Sequence, residues 1–110
     1  MNYYVRLQPL ALEDLDQAYK NAAKHAPNTA ADWLERFHDA LKTLETNPER
    51  CSLAPENLKS TRTLRQFLFG KGRNVFRSVF TVEGDTVWIV RIRRAARRQM
   101  TKKDLGEPNI

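Results

Sequence analysis

Residues 61–98 read TRTLRQFLFGKGRNVFRSVFTVEGDTVWIVRIRRAARR. Three runs rich in β-branched and aromatic residues are separated by Gly70–Arg73 and by Gly84-Asp85, the pattern of three consecutive antiparallel strands. In the middle run, Phe76, Ser78, Phe80 and Val82 alternate with Val75, Arg77, Val79 and Thr81, which predicts one apolar face and one face carrying Arg77. In the last run Trp88, Val90 and Ile92 oppose Val87, Ile89, Arg91 and Arg93, and in the first Leu64 and Leu68 oppose Arg65, Phe67 and Phe69. Glu83-Gly84-Asp85 is short enough for a tight hairpin, with Gly84 supplying positive φ.

Working outward, Tyr3–Gln8 alternates as a short first strand. Pro9 then stands where helices begin, and Leu12, Leu15, Tyr19 and Ala22 follow at helical spacing. Glu13, Asp14 and Asp16 suit the positive end of that helix dipole. After Ala26-Pro27-Asn28, Asn28 or Thr29 is expected to cap a second helix whose stripe is Trp33, Leu34, Phe37, Leu41 and Leu44, stopped by Asn47-Pro48. Tyr19, Trp33 and Phe37 are assigned to packing. Residues 48–60 read as an irregular connector. The predicted fold is α+β, β-α-α-β-β-β, a helical hairpin packed on an antiparallel sheet. Residues 1–98 form a single domain, and residues 99–110 a mobile tail in which Thr101–Leu105 can make one helical turn.

The 110 residues, 41% of them hydrophobic, suffice for one modest core. The N-terminus lacks the features of a signal peptide and no stretch is long and apolar enough for a membrane span, so a soluble, cytoplasmic protein without membrane partners is expected. Cys51 is the only cysteine and reads as an incidental thiol. The net charge of +6 is unevenly spread: residues 1–56 carry six basic against nine acidic side chains, net −3, and residues 57–110 thirteen against four, net +9. Such a dipolar molecule suits a polyanion or an acidic protein.

Neither His25 nor His38 lies in the basic half, and both read as surface or core-edge histidines on the predicted helices. No metal-binding spacing, phosphate loop or nucleophile triad is present, so neither metal nor cofactor is expected. What remains is an arginine constellation, Arg65, Arg73, Arg77, Arg91, Arg93, Arg94, Arg97 and Arg98. Antiparallel neighbours are expected to bring these within reach of one another to grip phosphate or another anionic target. Arg77 and Arg97 are expected on that basic face, where substitution affects activity more than folding.

The Phe76-Arg77 pair opening a strand, the Glu83–Thr86 turn, and an apolar strand running from Val87 into the basic cluster ending at Arg98 together resemble the RelE/ParE superfamily of type II toxins. The resemblance extends over nearly the whole chain and implies a toxin of a plasmid-stabilisation module, held by a cognate acidic antitoxin. RelE-like members are ribosome-dependent mRNA endonucleases. For that branch the resemblance implies catalytic roles for Arg65, Arg77 and Arg97, but the family's C-terminal Tyr falls near Lys103 and no Tyr or His follows His38. Among proton donors only Lys71, Lys102 and Lys103 remain, each requiring desolvation. The LRQFLF strand and the VEGDTVWIVRI hairpin are closer to the ParE-like branch, which acts on DNA gyrase. A non-toxic basic nucleic-acid-binding module is the third class, without an obvious recognition helix in the basic half.

Overall fold

A computed structural model describes residues 2–107. The elements are β1 (Tyr4–Leu7), α1 (Pro9–Ala23), α2 (Pro27–Lys42), β2 (Arg65–Phe69), β3 (Phe76–Glu83) and β4 (Thr86–Arg94), with three short 3-10 turns between α2 and β2. This is the expected β-α-α-β-β-β order. The sheet order is β1-β4-β3-β2. β2, β3 and β4 pair antiparallel, whereas β1 adds to β4 in parallel through Val5↔Val87, making the sheet mixed. A parallel neighbour needs a long crossover, and here everything between β1 and β4 supplies it. No described helix is long and apolar enough to cross a membrane.

One face of the sheet is covered by the helices. Phe37 and Leu41 of α2 and Leu15 of α1 meet Phe76, Phe80, Val87, Ile89 and Ile92. Phe37 contacts Trp33 edge-on at 5.4 Å and Phe69 at 4.8 Å between ring centroids, an aromatic centre for the core. The α1 stripe sits one residue round from the expected one: Ala11 and Leu15 are buried, while Leu12 is 54% exposed and Ala22 is exposed. Asp14 explains the rotation. It lies beyond the first turn and, instead of serving the helix dipole, accepts from the Ile92 amide at 2.9 Å and from Arg91, fixing which side of α1 meets the sheet. α2 likewise starts at Pro27 with Ala26 as its capping position, so Asn28 and Thr29 lie inside the helix and do not cap it; proline at the first helical position needs no donor there.

A bulge interrupts the alternation of β4. Val79 pairs with Arg91 and Phe80 with Ile89, so Val90 has no partner. Ile92 thereby joins Val87 and Ile89 under the helices, and Arg91 and Arg93 fall across from Val79 and Arg77. The second face is covered too. Val79 and Val90 lie under Ala54, Leu64, Met100 and Leu105, so β3 is buried on both sides from Phe76 to Thr81.

That second cluster overturns the free tail. Met100 is 0% and Leu105 2% exposed. A turn closed by the Leu105 amide on the Thr101 carbonyl at 3.1 Å leads to Glu107, which pairs with Arg62 at 2.8 Å and accepts from the Ser60 hydroxyl. The packed domain therefore runs through Glu107, because two apolar side chains beyond Arg98 complete its core. Of the expected tail, residues 108–110 lie outside the described residues.

Candidate functional site

The tip of the helical hairpin is built from small residues. Ala18, Ala22 and Ala30 line an open groove of about 660 Å³ between the hairpin and the paired ends of β3 and β4. Its floor is Trp33, Phe76 and Ile92, and its rim carries Arg36, Arg93, Arg94 and Arg97, with His25, Asn21 and Asn74 at the mouth. Arg94 is held by two features: its Cζ stands 5.3 Å over the Phe76 ring, and its Nη1 donates to Asn74 Oδ1 at 3.1 Å. Arg93 reaches Asp104 at 3.4 Å but leaves a buried Nε without an acceptor. Arg97 is exposed, its amide closing a turn on the Arg94 carbonyl at 3.1 Å.

The structure divides the eight candidate arginines. Arg77 is turned inward, 6% exposed, with Nη1 and Nη2 donating to Glu56 Oε1 and Oε2 at 3.0 and 2.7 Å and Nη1 also to Gln66 at 3.1 Å. Glu56, itself 0% exposed, also accepts from the Met100 amide at 2.9 Å. Burial opposes ionisation of Glu56, yet the Arg77 and Met100 hydrogen bonds outweigh it and hold the carboxyl below its ordinary value. The expectation of an exposed Arg77 fails because the connector and the C-terminal segment roof that side of the sheet.

Arg91 is clamped by Asp14, Nε to Oδ2 at 2.7 Å and Nη2 to Oδ1 at 2.8 Å, while Nη1 donates to the Asp104 carbonyl. That two-pronged bond raises the Arg91 pKa still further. Arg65 donates to the Cys51 carbonyl at 2.7 Å. Its partner Phe80 belongs to the helix-covered core, so Arg65 and Arg77 leave the sheet on opposite faces. Arg65, Arg77 and Arg91 are thus committed to the fold, and Arg93 largely so; Arg73, Arg94, Arg97 and Arg98 are exposed. The expected convergence of all eight does not occur.

His25, Arg36 and Trp33 were not singled out as site residues by sequence. The hairpin tip meets the end of β4 only through tertiary packing, and no local signal announces it. The rim guanidinium groups of Arg36, Arg94 and Arg97 are chemically suited to an anion, as always-charged donors without acceptors. Among the described residues lining the groove, His25 and Asp14 are the groups able to exchange a proton, and Asp14 is clamped by Arg91. Lys71, Lys102 and Lys103 are all exposed and do not line the groove. Cys51 is half-buried and its thiol is pushed up by burial, against reactivity. Among the described residues no three metal-ligating side chains converge.

The sequence profile of the ParE toxin family, described as ParE toxin of type II toxin-antitoxin system, parDE, matches residues 5–99. No curated protein matches significantly in sequence. Among solved structures, a chain of the chromosomal ParDE TA system from P. aeruginosa is similar in fold, with a TM-score of 0.68 and 20% identity, over 84% of this chain and 95% of that one.

Proposed function

The chain belongs to the ParE toxin family of type II toxin-antitoxin systems, and on that premise we propose that it inhibits DNA gyrase in the cytoplasm and is neutralised by a cognate acidic antitoxin seated in the groove at the hairpin tip. The groove carries the partner assignment. An apolar floor of Trp33, Phe76 and Ile92 under a rim of Arg36, Arg94 and Arg97 fits a segment with apolar side chains on one side and carboxylates beside them. Such a segment folds on binding and screens the rim arginines from any other anion.

The gyrase target is favoured over the ribosome by the dispersal of Arg65, Arg77 and Arg97. Two of them are engaged on opposite faces of the sheet and the third is exposed beyond its end. A single scissile phosphate is not gripped by that arrangement. One observation favours the ribonuclease reading: His25, whose imidazole can serve as a general acid or base, lies on the same groove as Arg97.

Supercoiling by purified gyrase with and without the chain is the deciding measurement. Loss of supercoiling, relieved by the adjacent gene's product and weakened by Arg97→Ala, is expected. Primer-extension mapping on translating ribosomes tests the other branch: reproducible cuts within codons, abolished by His25→Ala with gyrase untouched, overturn the gyrase reading.

A further inference from the structure

At the end of the sheet the 70–74 loop and the turn after β4 lie side by side. The Ala95 amide donates to the Val75 carbonyl at 2.8 Å, prolonging the β3–β4 ladder, and Arg94 Nη1 reaches both the Arg73 carbonyl at 3.4 Å and Asn74 at 3.1 Å. Position 70 accepts only glycine, since Gly70 sits at φ 117° with the Asn74 carbonyl oxygen where a Cβ would stand. Lys71, Arg73, Arg94, Arg97 and Arg98 are all exposed on this end, and among the described residues none is paired with a carboxylate.

Five like charges without counter-charge repel one another and are relieved only by an anionic partner. Of the large exposed apolar side chains, Tyr4, Leu12, Leu53 and Leu58 stand on other elements, and Leu68 is the single one at the edge of this end, near the end of β2 before the loop. The apolar floor that Arg94 and Arg97 rim lies on the groove side, whereas the side formed with Lys71, Arg73 and Arg98 is cationic and polar and matches the surface that meets a phosphate backbone. Phe76 is buried beneath Arg94, and the partly exposed Trp33 belongs to the groove on the helix side, so no ring stands among the five charges themselves. Single strands are held by stacking on such rings, so the patch favours a duplex. No helix stands ready to enter a groove, which leaves phosphate contacts without base readout.

We propose that this end of the molecule binds the phosphate backbone of double-stranded DNA, independently of sequence, through Lys71, Arg73, Arg94, Arg97 and Arg98. On the gyrase reading, from which it takes its setting, the toxin then touches enzyme-bound DNA as well as the enzyme, and an antitoxin in the groove masks Arg94 and Arg97 from both.

Anisotropy of labelled DNA duplexes of two unrelated sequences, titrated with the full chain across a salt series, tests it. With three to five phosphates neutralised, the slope of log affinity against log salt is expected between about −2.7 and −4.5, the same for both duplexes. Arg73→Ala and Arg97→Ala each weaken binding several-fold and flatten the slope by about one, without changing the melting temperature, while Arg6→Ala on the remote β1 changes nothing. Absence of salt-dependent binding overturns the proposal. So does an Arg6→Ala loss equal to that of Arg97→Ala, or tighter binding of a single strand, an RNA duplex or polyglutamate than of the DNA duplex. Supercoiling assayed on the same samples separates the two readings: gyrase inhibited without duplex binding removes this proposal alone, and duplex binding without gyrase inhibition removes the gyrase assignment alone.

Discussion

Replacing Glu56 by Gln preserves shape and removes the charge opposite Arg77. In the native protein Glu56 Oε2 accepts from Arg77 Nη2 at 2.7 Å and from the Met100 amide at 2.9 Å, and Oε1 accepts from Arg77 Nη1 at 3.0 Å. A glutamine has one oxygen for these three donors, so in either orientation its NH₂ faces an N–H group. The Arg77 side chain, 8% exposed, keeps its charge and loses the counter-charge. Removing one member of a buried pair costs about 3–5 kcal/mol, out of a total stability of about 5–15 kcal/mol for a domain of this kind. The expected melting temperature falls by about 12–20 °C. Urea denaturation supplies the free energy directly, through a lower midpoint at unchanged slope. Arg77→Ala is expected to cost as much, by stranding Glu56. The double variant Glu56→Leu with Arg77→Met recovers part of the loss, because no charge then remains buried, but not all of it, since the Met100 amide loses its acceptor at about 1–3 kcal/mol. A cost below about 1 kcal/mol for Glu56→Gln refutes the reasoning and makes Arg77 a residue of function alone.

Met100→Ala, at a fully buried side chain beyond Arg98, destabilises by about 2–5 kcal/mol in urea denaturation; a change under about 0.5 kcal/mol means the C-terminal segment is not part of the core. Gly70→Ala strains the loop at positive φ and collides with the Asn74 carbonyl, so its melting temperature drops by several degrees, whereas Gly72→Ala, with open space around its Cβ, pays only for its positive φ and drops less. Glu56 and Glu107 have carboxyls lowered in the folded state, Glu56 despite burial and Glu107 chiefly by the Ser60 hydroxyl. Their contribution is therefore complete above the ordinary value of 4.5 and is lost as pH falls through the lower folded values, so the urea midpoint is flat above about pH 5 and declines below it. Arg97→Ala leaves the unfolding free energy from urea denaturation within about 0.5 kcal/mol of the parent while reducing toxicity on induction, because its side chain is exposed.

Order and type of the elements were legible in the chain because each carries a local period: two for Phe76–Val82, three and four for Trp33–Leu44, with Pro9, Pro27 and Gly84 as punctuation. The charge split and the Phe76-Arg77 to Arg98 pattern likewise pointed to the toxin family without any coordinates. What the sequence left undecided was which side of each strand is covered. Alternation places Arg77 opposite Phe76 but is silent about a roof supplied by Glu56, Leu64, Met100 and Leu105, which come from segments without a period. A single bulge at Val90 reverses the facing of Arg91 and Ile92, and no residue type marks it. The groove is a product of packing alone: short alanine side chains at the hairpin tip leave space above Phe76, and His25 and Arg36 become neighbours of Arg94 and Arg97 only when the hairpin folds back over the sheet. Local sequence determined the elements and the supply of arginines. Tertiary contacts decided which arginines are bolts and which are free to bind, because a guanidinium becomes structural only when burial and a facing carboxylate meet it together.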